Sequence, residues 1–373
     1  MFATPLIRNY YRYVMKPVFF TQDPERVHDR TVRMGSVLGS NAITRKLTKV
    51  FLSYEDPILK QNIFGIEFNN PLGLSAGYDY DGHVSKVMKE VGFGFNTVGT
   101  VSYHSYEGNT PPRLGRLPNS KSLFVNKGFK SDGAEVIAKR MDSKGLNDNI
   151  VGVSVGSSNI CDVDTIEKAI ADYISTLNIF KDRDYVKYFE INISCPNTAM
   201  TESFVDRKNF SSLLSRIKDL DVRQPFFIKM PNEVSVEKAW EIVQTAIEHS
   251  INGFIFSNLV KDRNNPVFDQ KEIEKFKGLK GNFSGKPTFE NSNRLIRHTR
   301  QKYGKDVVIV GAGGIFNAED AYTKIRAGAN LIQMITGLIF GGPQVVGEIN
   351  KGLAVLLHRD GFGSISEAVG TGA

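Results

Sequence analysis

The sequence predicts an α/β protein whose main domain is a (β/α)8 barrel, or TIM barrel, preceded by a short N-terminal helical extension. Eight short runs rich in β-branched and aromatic residues recur between residues 72 and 335, and helix-length segments separate them. Most runs lack the polar–apolar alternation of a half-exposed strand, as expected for parallel strands buried on both faces. Eight strand–helix units over about 300 residues match the size of one such barrel.

The predicted elements follow one another regularly along the chain. We predict strands at Leu72–Ala76, Phe95–Val101, Ile150–Val155, Tyr188–Ser194, Pro225–Met230, Gly253–Ser257, Val307–Val310 and Leu331–Ile335. Helices are predicted between them, among others at Asp162–Leu177, Val236–His249 and Ala318–Ala327. A doubly wound open sheet is the structural alternative, but Gly73–Gly77 does not supply the GxGxxG turn typical of that fold.

The N-terminal extension is predicted over residues 1–52, and the barrel domain over residues 53–373. Residues 1–50 hold nine Lys and Arg against three Asp and Glu, which is +6 of the chain's net charge of +7. Asp23 as an N-cap followed by Pro24 at the first helical position predicts a helix start. We expect two short helices with cations at the rim of an apolar surface.

A basic, aromatic-rich extension of this kind allows three interpretations. A peripheral contact with an anionic membrane surface is the interpretation we favour. A helical pair that only packs on the barrel is the alternative, and nucleic acid is not expected as a partner.

The composition limits the class of protein. With 41% hydrophobic and 23% charged residues, the chain has enough apolar residues for a large core. Its two cysteines provide neither a disulfide framework nor a CxxC zinc motif, which favours a reducing compartment. No apolar run approaches the roughly 20 residues of a membrane span, and the start lacks a signal-peptide pattern. We therefore expect a peripheral protein on the cytoplasmic side of the cell membrane.

The last two strands end in residues that suit a phosphate. Gly313-Gly314 follows the seventh strand, where we expect a helix to open, and Thr336-Gly337 follows the eighth. Backbone N–H groups at such glycines approach a phosphate without steric hindrance. Tight packing of two turns is the alternative explanation. The strand ends hold no cluster of acids or histidines, so no metal is expected.

A lysine ends the fifth predicted strand. Lys229 follows the apolar run Phe226-Phe227-Ile228, and burying a lysine charge without a partner is costly. The ammonium could form a Schiff base or donate to an electron-rich ring. We favour the second, since the neighbouring sequence holds no acid or second lysine.

The stretch Asn192–Thr198, of sequence NISCPNT, is the most specific feature of the chain. Asparagine offers a donor and an acceptor together, which suits the edge of an imide or amide ring. Cys195 between the two asparagines could act as nucleophile or general base. A buried structural cysteine is the alternative.

Several motifs in order resemble the dihydroorotate dehydrogenase family over about residues 5–370. They are Asn69–Gly77, Gly92–Gly94, Gly99–Val101, Glu107–Asn109 with Pro112-Arg113, Asn192–Thr198, Val310–Ile315, Ile325–Ala329 and Gly342-Pro343. The helix that begins after Asp23 is similar to the extension of the quinone-using class 2 enzymes, which soluble class 1 enzymes lack.

The resemblance implies a chemistry and a set of site residues. It implies that FMN oxidises dihydroorotate to orotate in de novo pyrimidine synthesis, and that a quinone then takes the electrons between the N-terminal helices. The implied FMN contacts are Ala76, Gly77, Thr100, Asn192, Lys229, Ser257, Ser284 and Gly285 on a late loop, Gly313, Gly314, Thr336 and Gly337. The implied substrate contacts are Asn192, Asn197 and Asn258, with Cys195 as catalytic base, and Phe129 and Thr198 along the proton path.

Four positions depart from the class 2 pattern. Cys195 stands where those enzymes usually have serine, as in class 1, and Tyr80 stands where the family has lysine. Leu259 replaces a usual hydroxyl residue. Val125 takes the place of a further substrate asparagine, with Asn126 one position on, and Lys127 offers a cation for a substrate carboxylate.

The sequence leaves other functions open. One is a flavin dehydrogenase for another pyrimidine-like ring, or one with a soluble acceptor such as fumarate. Another is a flavin-binding protein without turnover. A third is a phosphate-binding aldolase or isomerase that uses Lys229.

Overall fold

The computed structural model describes residues 4–193 and 204–373. Within these ranges the strands are β1 Gln61–Ile63, β2 Ile66–Phe68, β3 Leu72–Leu74, β4 Phe95–Val101, β5 Leu114–Leu117, β6 Ser122–Val125, β7 Val151–Val155, β8 Val186–Asn192, β9 Phe226–Met230, β10 Gly253–Phe256, β11 Asn282–Gly285, β12 Val308–Ala312 and β13 Leu331–Met334.

The helices form the outer layer and the extension. They are α1 Thr4–Tyr10, α2 Lys16–Phe20, α3 Pro24–Ser40, α4 Ala42–Leu52, α5 Ser85–Val91, α6 Ala134–Asp142, α7 Ile166–Phe180, α8 Arg207–Lys218, α9 Val236–Glu248, α10 Gln270–Ile273, α11 Phe289–Tyr303, α12 Ala318–Arg326, α13 Thr336–Gly341, α14 Val345–Arg359 and α15 Ile365–Ala368. A π-helical segment, Tyr11–Met15, joins α1 to α2.

Eight parallel strands close into a barrel in the order β3-β4-β7-β8-β9-β10-β12-β13, and β13 pairs back with β3. These are the eight strands that the sequence predicts, so the predicted (β/α)8 fold is confirmed. Strands β4, β7 and β10 are buried along their whole length. Burial on both faces explains why their sequences show no polar–apolar alternation.

The barrel interior is filled in layers. Phe95, Tyr188, Phe227, Ile255 and Leu331 project inward and form the lower layer. The β1–β2 hairpin packs Ile63 and Phe68 against this layer. Apolar side chains therefore fill the lower end of the barrel. A functional site is expected at the opposite end, which is formed by the C-terminal ends of the strands.

The N-terminal extension begins its main helix at the predicted position. Asp23 caps α3, and its Oδ1 atom accepts from the Arg26 amide at 2.9 Å. Asn41 separates α3 from α4. It is the N-cap of α4, and its Oδ1 accepts a hydrogen bond from the Ile43 amide at 2.7 Å. The two predicted helices correspond to the continuous helical run from α1 to α2 and to α3, so α4 is a further helix of the extension. No helix within the described residues is long and apolar enough to cross a membrane.

Ion pairs join the extension to the barrel. Glu25 lies in the first turn of α3. Its Oε2 atom is 2.9 Å from Arg113 Nε, and its Oε1 atom is 3.7 Å from Lys127 Nζ and 3.6 Å from Lys130 Nζ. Arg116 donates to the Gln22 carbonyl at 2.8 Å. All four cations belong to the segment that carries β5 and β6, so this segment positions the extension over the barrel mouth.

Two local predictions are wrong. Ser284 and Gly285 do not lie on a loop, because β11 pairs antiparallel with β6 in a three-stranded sheet outside the barrel. Gly313-Gly314 does not open a helix either, since α12 begins only at Ala318 with Asn317 as its N-cap. The glycine pair is instead a turn with φ values of +93° and +73°.

Candidate active site

A polar pocket lies at the C-terminal ends of the barrel strands. This mouth pocket, about 120 Å³ in volume, is lined by Ser75, Ala76, Thr100, Ser154, Asn192, Lys229, Ser257, Asn258, Leu259, Ser284, Gly285, Thr288, Ala312, Gly313, Gly314, Ile315, Gln333, Met334, Ile335, Thr336 and Gly337. Eleven of the twelve FMN-contacting residues expected from the resemblance line it. The twelfth, Gly77, lines the neighbouring cavity described below.

One end of the mouth pocket is built from glycines and hydroxyl groups. Gly313 and Gly314 follow β12, and Thr336 and Gly337 begin α13 one residue after β13. The hydroxyl groups of Ser284 and Thr336 are 2.8 Å apart. The glycines are also required by packing, since a Cβ at Gly313 would lie 2.1 Å from Thr288 Oγ1. This end offers backbone and hydroxyl donors of the kind that hold a phosphate.

Lys229 forms part of the pocket floor. Its side chain is buried, and Nζ donates to Ser75 Oγ at 3.3 Å. Burial lowers the pKa of Lys229, while the nearby Glu190 acts in the opposite direction. Glu190 was not among the predicted site residues, although it is the acidic residue in the otherwise apolar run YFEI that precedes Asn192.

Asparagines from two strands meet beside Lys229. Asn192 at the end of β8 donates to Thr100 Oγ1 at 3.1 Å, and Asn258 after β10 donates to Asn192 Oδ1 at 3.3 Å. The Thr100 hydroxyl lies 3.0 Å from the Ser154 hydroxyl. The structure therefore brings together Asn192 and Asn258, as predicted, and adds Ser154, Ser75 and Gln333 to the lining.

Three predicted site residues lie outside the described residues. These are the proposed base Cys195, the substrate asparagine Asn197 and the proton-path residue Thr198. Their roles remain predictions from the sequence.

A larger apolar cavity adjoins the mouth pocket. This extension cavity, about 450 Å³ in volume, lies between the N-terminal helices and the barrel, and it shares Ala76, Thr100, Asn192, Asn258, Leu259, Ser284 and Ile335 with the mouth pocket. Its walls include Phe19, Val27 and Leu38 of the extension, and also the predicted residues Gly77, Lys127 and Phe129. Its volume is that of a typical small-molecule site.

A polar group interrupts the apolar wall of the extension cavity. Lys127 Nζ lies 3.0 Å from the Tyr80 hydroxyl, and the His28 ring stacks on Tyr80 with centroids 5.2 Å apart. Burial lowers the pKa of Lys127 to about 8, partly offset by Glu25, and lowers the pKa of His28 to about 3. At neutral pH His28 is therefore uncharged and Lys127 largely charged.

Asn126 and Phe129 flank this lysine in different environments. Asn126 is buried, accepts from Asn109 Nδ2 at 2.9 Å and lines neither cavity. Phe129 has a positive φ of 64° and lines the extension cavity. Phe129 therefore borders a cavity, whereas Asn126 borders neither the mouth pocket nor the extension cavity.

One further group of titratable side chains lies beside the barrel mouth. Ligand atoms of Asp81, His83 and Asp132 lie within 4.8 Å of one another. Asp81 accepts from the Asp132 amide, and Asp132 forms an ion pair with Arg140. Protein donors thus already serve both carboxylates.

The fold and the site define a (β/α)8 barrel protein with a polar pocket at the barrel mouth that adjoins an apolar cavity. Residues 58–357 match the family model of dihydroorotate dehydrogenase. The chain therefore belongs to the dihydroorotate dehydrogenase family, which generally depends on a flavin.

Curated relatives and solved structures agree with this assignment. The dihydroorotate dehydrogenase (quinone) of Trichormus variabilis is 35% identical, with 96% of this chain and 98% of the relative covered. The protein of the same name from Brucella ovis is 33% identical over 93% of this chain and 92% of the relative. The crystal structure of DHODH from Eimeria tenella in complex with ferulenol has a TM-score of 0.80 at 25% identity, and covers 94% of this chain and 95% of that one.

Proposed function

We propose that this chain is a dihydroorotate dehydrogenase that uses FMN, oxidises dihydroorotate to orotate and reduces a quinone, in de novo pyrimidine synthesis. The observation that carries the proposal is the contact between two spaces: a polar mouth pocket beside Lys229 and an apolar cavity under the extension, with shared walls. Relatives named dihydroorotate dehydrogenase (quinone) match nearly the full length of the chain.

The residues of the mouth pocket fit a flavin mononucleotide. Gly313, Gly314, Thr336 and Gly337, with Ser284 and Gly285, would hold its phosphate through backbone and hydroxyl donors. Lys229 would lie at the electron-rich edge of its ring, where a cation stabilises developing negative charge. When bound, the flavin accepts a hydride from the substrate and passes the electrons to the acceptor.

The substrate ring would lie against the two asparagines. Asn192 and Asn258 already contact each other, and their amide groups can pair with the imide edge of dihydroorotate. We assign Asn197 to the same site and Lys127, from the wall of the adjoining cavity, to the substrate carboxylate. Asn126, which the sequence also suggested as a substrate contact, lines neither cavity and is not assigned to the site. Cys195 would take the proton from C5 while the hydride leaves C6, and Phe129 and Thr198 would border the proton's exit path.

The extension cavity is the proposed quinone site. Apolar walls suit an isoprenoid quinone, and the shared lining residues bring the acceptor close to the mouth pocket. We propose residues 1–52 as a unit that completes this site on the barrel of residues 53–373. α4 ends at Leu52, where the unit would end.

Membrane contact through the extension is part of the same proposal. Twelve of the sixteen exposed large apolar side chains among the described residues lie within residues 4–52. On α4 they are Ile43, Leu47, Val50 and Phe51, which share one face of the helix. With the basic charge of the segment, this face supports peripheral binding on the cytoplasmic side of the cell membrane.

A second candidate has the same fold with another substrate or acceptor. The observation in its favour is that Tyr80 and Leu259 replace two polar residues expected from the family, and both line the extension cavity. An anaerobic assay separates the candidates: the purified protein is mixed with dihydroorotate, and then with a short-chain quinone or with fumarate. Orotate formation coupled to the quinone supports the proposal, whereas turnover with fumarate alone favours the second candidate.

A further inference from the structure

A buried carboxylate lies one layer below the mouth pocket. Asn192 on β8 is level with Lys229 on β9, and Glu190 precedes Asn192 by two residues, so it projects into the same barrel interior. Glu190 is fully buried, and Lys229 is only 7% exposed. Lys229 lines the mouth pocket, whereas Glu190 does not.

The side chains that contact Glu190 act as hydrogen-bond donors to its carboxylate. Thr97 Oγ1 donates to Glu190 Oε1 at 2.7 Å, and Gln333 Nε2 donates to the same oxygen at 2.6 Å. Thr97 has one hydroxyl proton, so its 2.8 Å contact with the Tyr188 hydroxyl must be donated by Tyr188. A chain of donors thus ends on one carboxylate oxygen and holds the side chain in place.

The second carboxylate oxygen of Glu190 requires electrostatic compensation. Within residues 4–193 and 204–373, Glu190 Oε2 has no hydrogen-bond partner, and an uncompensated buried carboxylate is costly. Lys229 lies on the neighbouring strand, one inward-facing position above Glu190, and its interaction with Glu190 is attractive. Tyr188 is the other titratable group here, and burial together with Glu190 keeps its pKa well above the usual value, so it stays neutral.

We propose that Glu190 is the buried counter-ion that keeps the Lys229 ammonium charged at the floor of the flavin pocket. Glu190 is thus a positioning residue, since it acts on the bound ring through Lys229. The inference rests on the proposed function, because it takes the mouth pocket as a flavin site. Thr97 and Gln333 hold the carboxylate in place without sharing its charge.

The test follows the protonation of Lys229 in the flavin-loaded enzyme. Lysine labelled with ¹³C reports the charge of each side chain through its ε-carbon signal, and loss of one signal in Lys229→Met assigns that residue. In wild type the Lys229 signal is expected to be that of an ammonium at pH 7. In Glu190→Gln the proton affinity of Lys229 is expected to fall by about tenfold, because an opposite charge that favours the ammonium form is removed.

A second readout is the reduction potential of the bound flavin as a function of pH. The reduction potential of Glu190→Gln is expected to differ from that of wild type by an amount that changes with pH as Lys229 loses its proton. In Lys229→Met, which has no such proton to lose, this pH dependence is expected to be absent. The matched control is Glu272→Gln, which alters a buried carboxylate held by Asn119 and Ser120 that lines neither cavity. The control should leave both readouts unchanged.

The outcomes separate this inference from the proposed function. If wild type binds flavin but Lys229 is a neutral amine at pH 7, or if Glu190→Gln leaves its titration unchanged, the counter-ion role is wrong and the flavin site stands. If wild type binds no flavin, the proposed function itself fails. If Glu190→Gln does not fold, the wild-type signal of Lys229 still decides, since a neutral amine overturns the inference.

Discussion

The Lys127 ammonium nitrogen lies 3.0 Å from the Tyr80 hydroxyl and 4.2 Å from the centre of the Tyr80 ring. The resemblance to the dihydroorotate dehydrogenase family led us to expect a lysine at the position of Tyr80. Lys127, from the segment after β6, brings a cation to this side chain. The pair lies in the wall of the extension cavity, beside Glu25 of the extension.

Replacing Lys127 tests whether this cation serves the substrate. Lys127→Met is expected to raise the KM for dihydroorotate roughly 10- to 100-fold, because a charge-assisted hydrogen bond contributes about 1.5–3 kcal/mol. Lys130→Met is the matched control, since Lys130 also pairs with Glu25, at 3.6 Å. A rise in the KM for quinone alone would reassign Lys127 to the acceptor.

The affinity for dihydroorotate should depend on pH through the same lysine. Burial lowers the pKa of Lys127 to about 8, so the side chain is cationic below that pH and neutral above it. We expect substrate affinity to fall as the pH rises through about 8, and Lys127→Met to flatten this step. Binding titrations from pH 6 to 10 would measure it. A step that persists in Lys127→Met would point to another group.

The phosphate end of the mouth pocket can be tested without a mutation. A substitution at Gly313 is uninformative, because a Cβ there meets Thr288 Oγ1 at 2.1 Å whether or not a phosphate binds. We instead expect FMN to bind the apoprotein at least about 100-fold more tightly than riboflavin, since several charge-assisted bonds are lost without the phosphate. Equal affinities in a fluorescence titration would remove the phosphate assignment.

The proposed base is tested by Cys195→Ala. Flavin reduction by dihydroorotate should slow by roughly 10²- to 10⁴-fold, the usual contribution of a positioned general base. Substrate binding should change little, because the asparagines remain. Cys195→Ser should retain part of the rate and need a higher pH. Rapid-mixing measurement of flavin bleaching gives the rates, and a wild-type rate in Cys195→Ala would exclude Cys195 from the mechanism.

The apolar face of α4 is expected to bind lipid. Replacing Ile43, Leu47 and Phe51 by serine should weaken sedimentation with anionic liposomes, while flavin reduction by dihydroorotate stays unchanged. Val136 and Val355, exposed apolar residues of the barrel domain, give the matched control when replaced by serine. Equal liposome binding by all variants would contradict the membrane role.

The sequence was sufficient for the barrel because burial of parallel strands leaves a local signature. The strand ends at Asn192 and Lys229 could be placed at one edge for the same reason, and they do line one pocket. The pairing of Ser284 with Leu123 could not be predicted, since it joins a short strand to a segment far away in the chain.

Side-chain partners across elements were equally hidden. Lys127 and Tyr80 come from different loops, and nothing in either local sequence indicates that they meet. Glu190 could have been noticed from the sequence, because it is an acidic residue within a strand whose pattern predicts burial on both faces. Its role nonetheless depends on Thr97 and Gln333 from two other strands.

The central claim is that electrons pass from dihydroorotate through a flavin in the mouth pocket to a quinone in the adjoining cavity. The most direct measurement is an anaerobic spectrum of the purified yellow protein, first with dihydroorotate and then with a short-chain quinone. We expect dihydroorotate to bleach the flavin absorbance and the quinone to restore it within the turnover time. A flavin that dihydroorotate does not bleach, or that fumarate but not quinone reoxidises, would contradict the account.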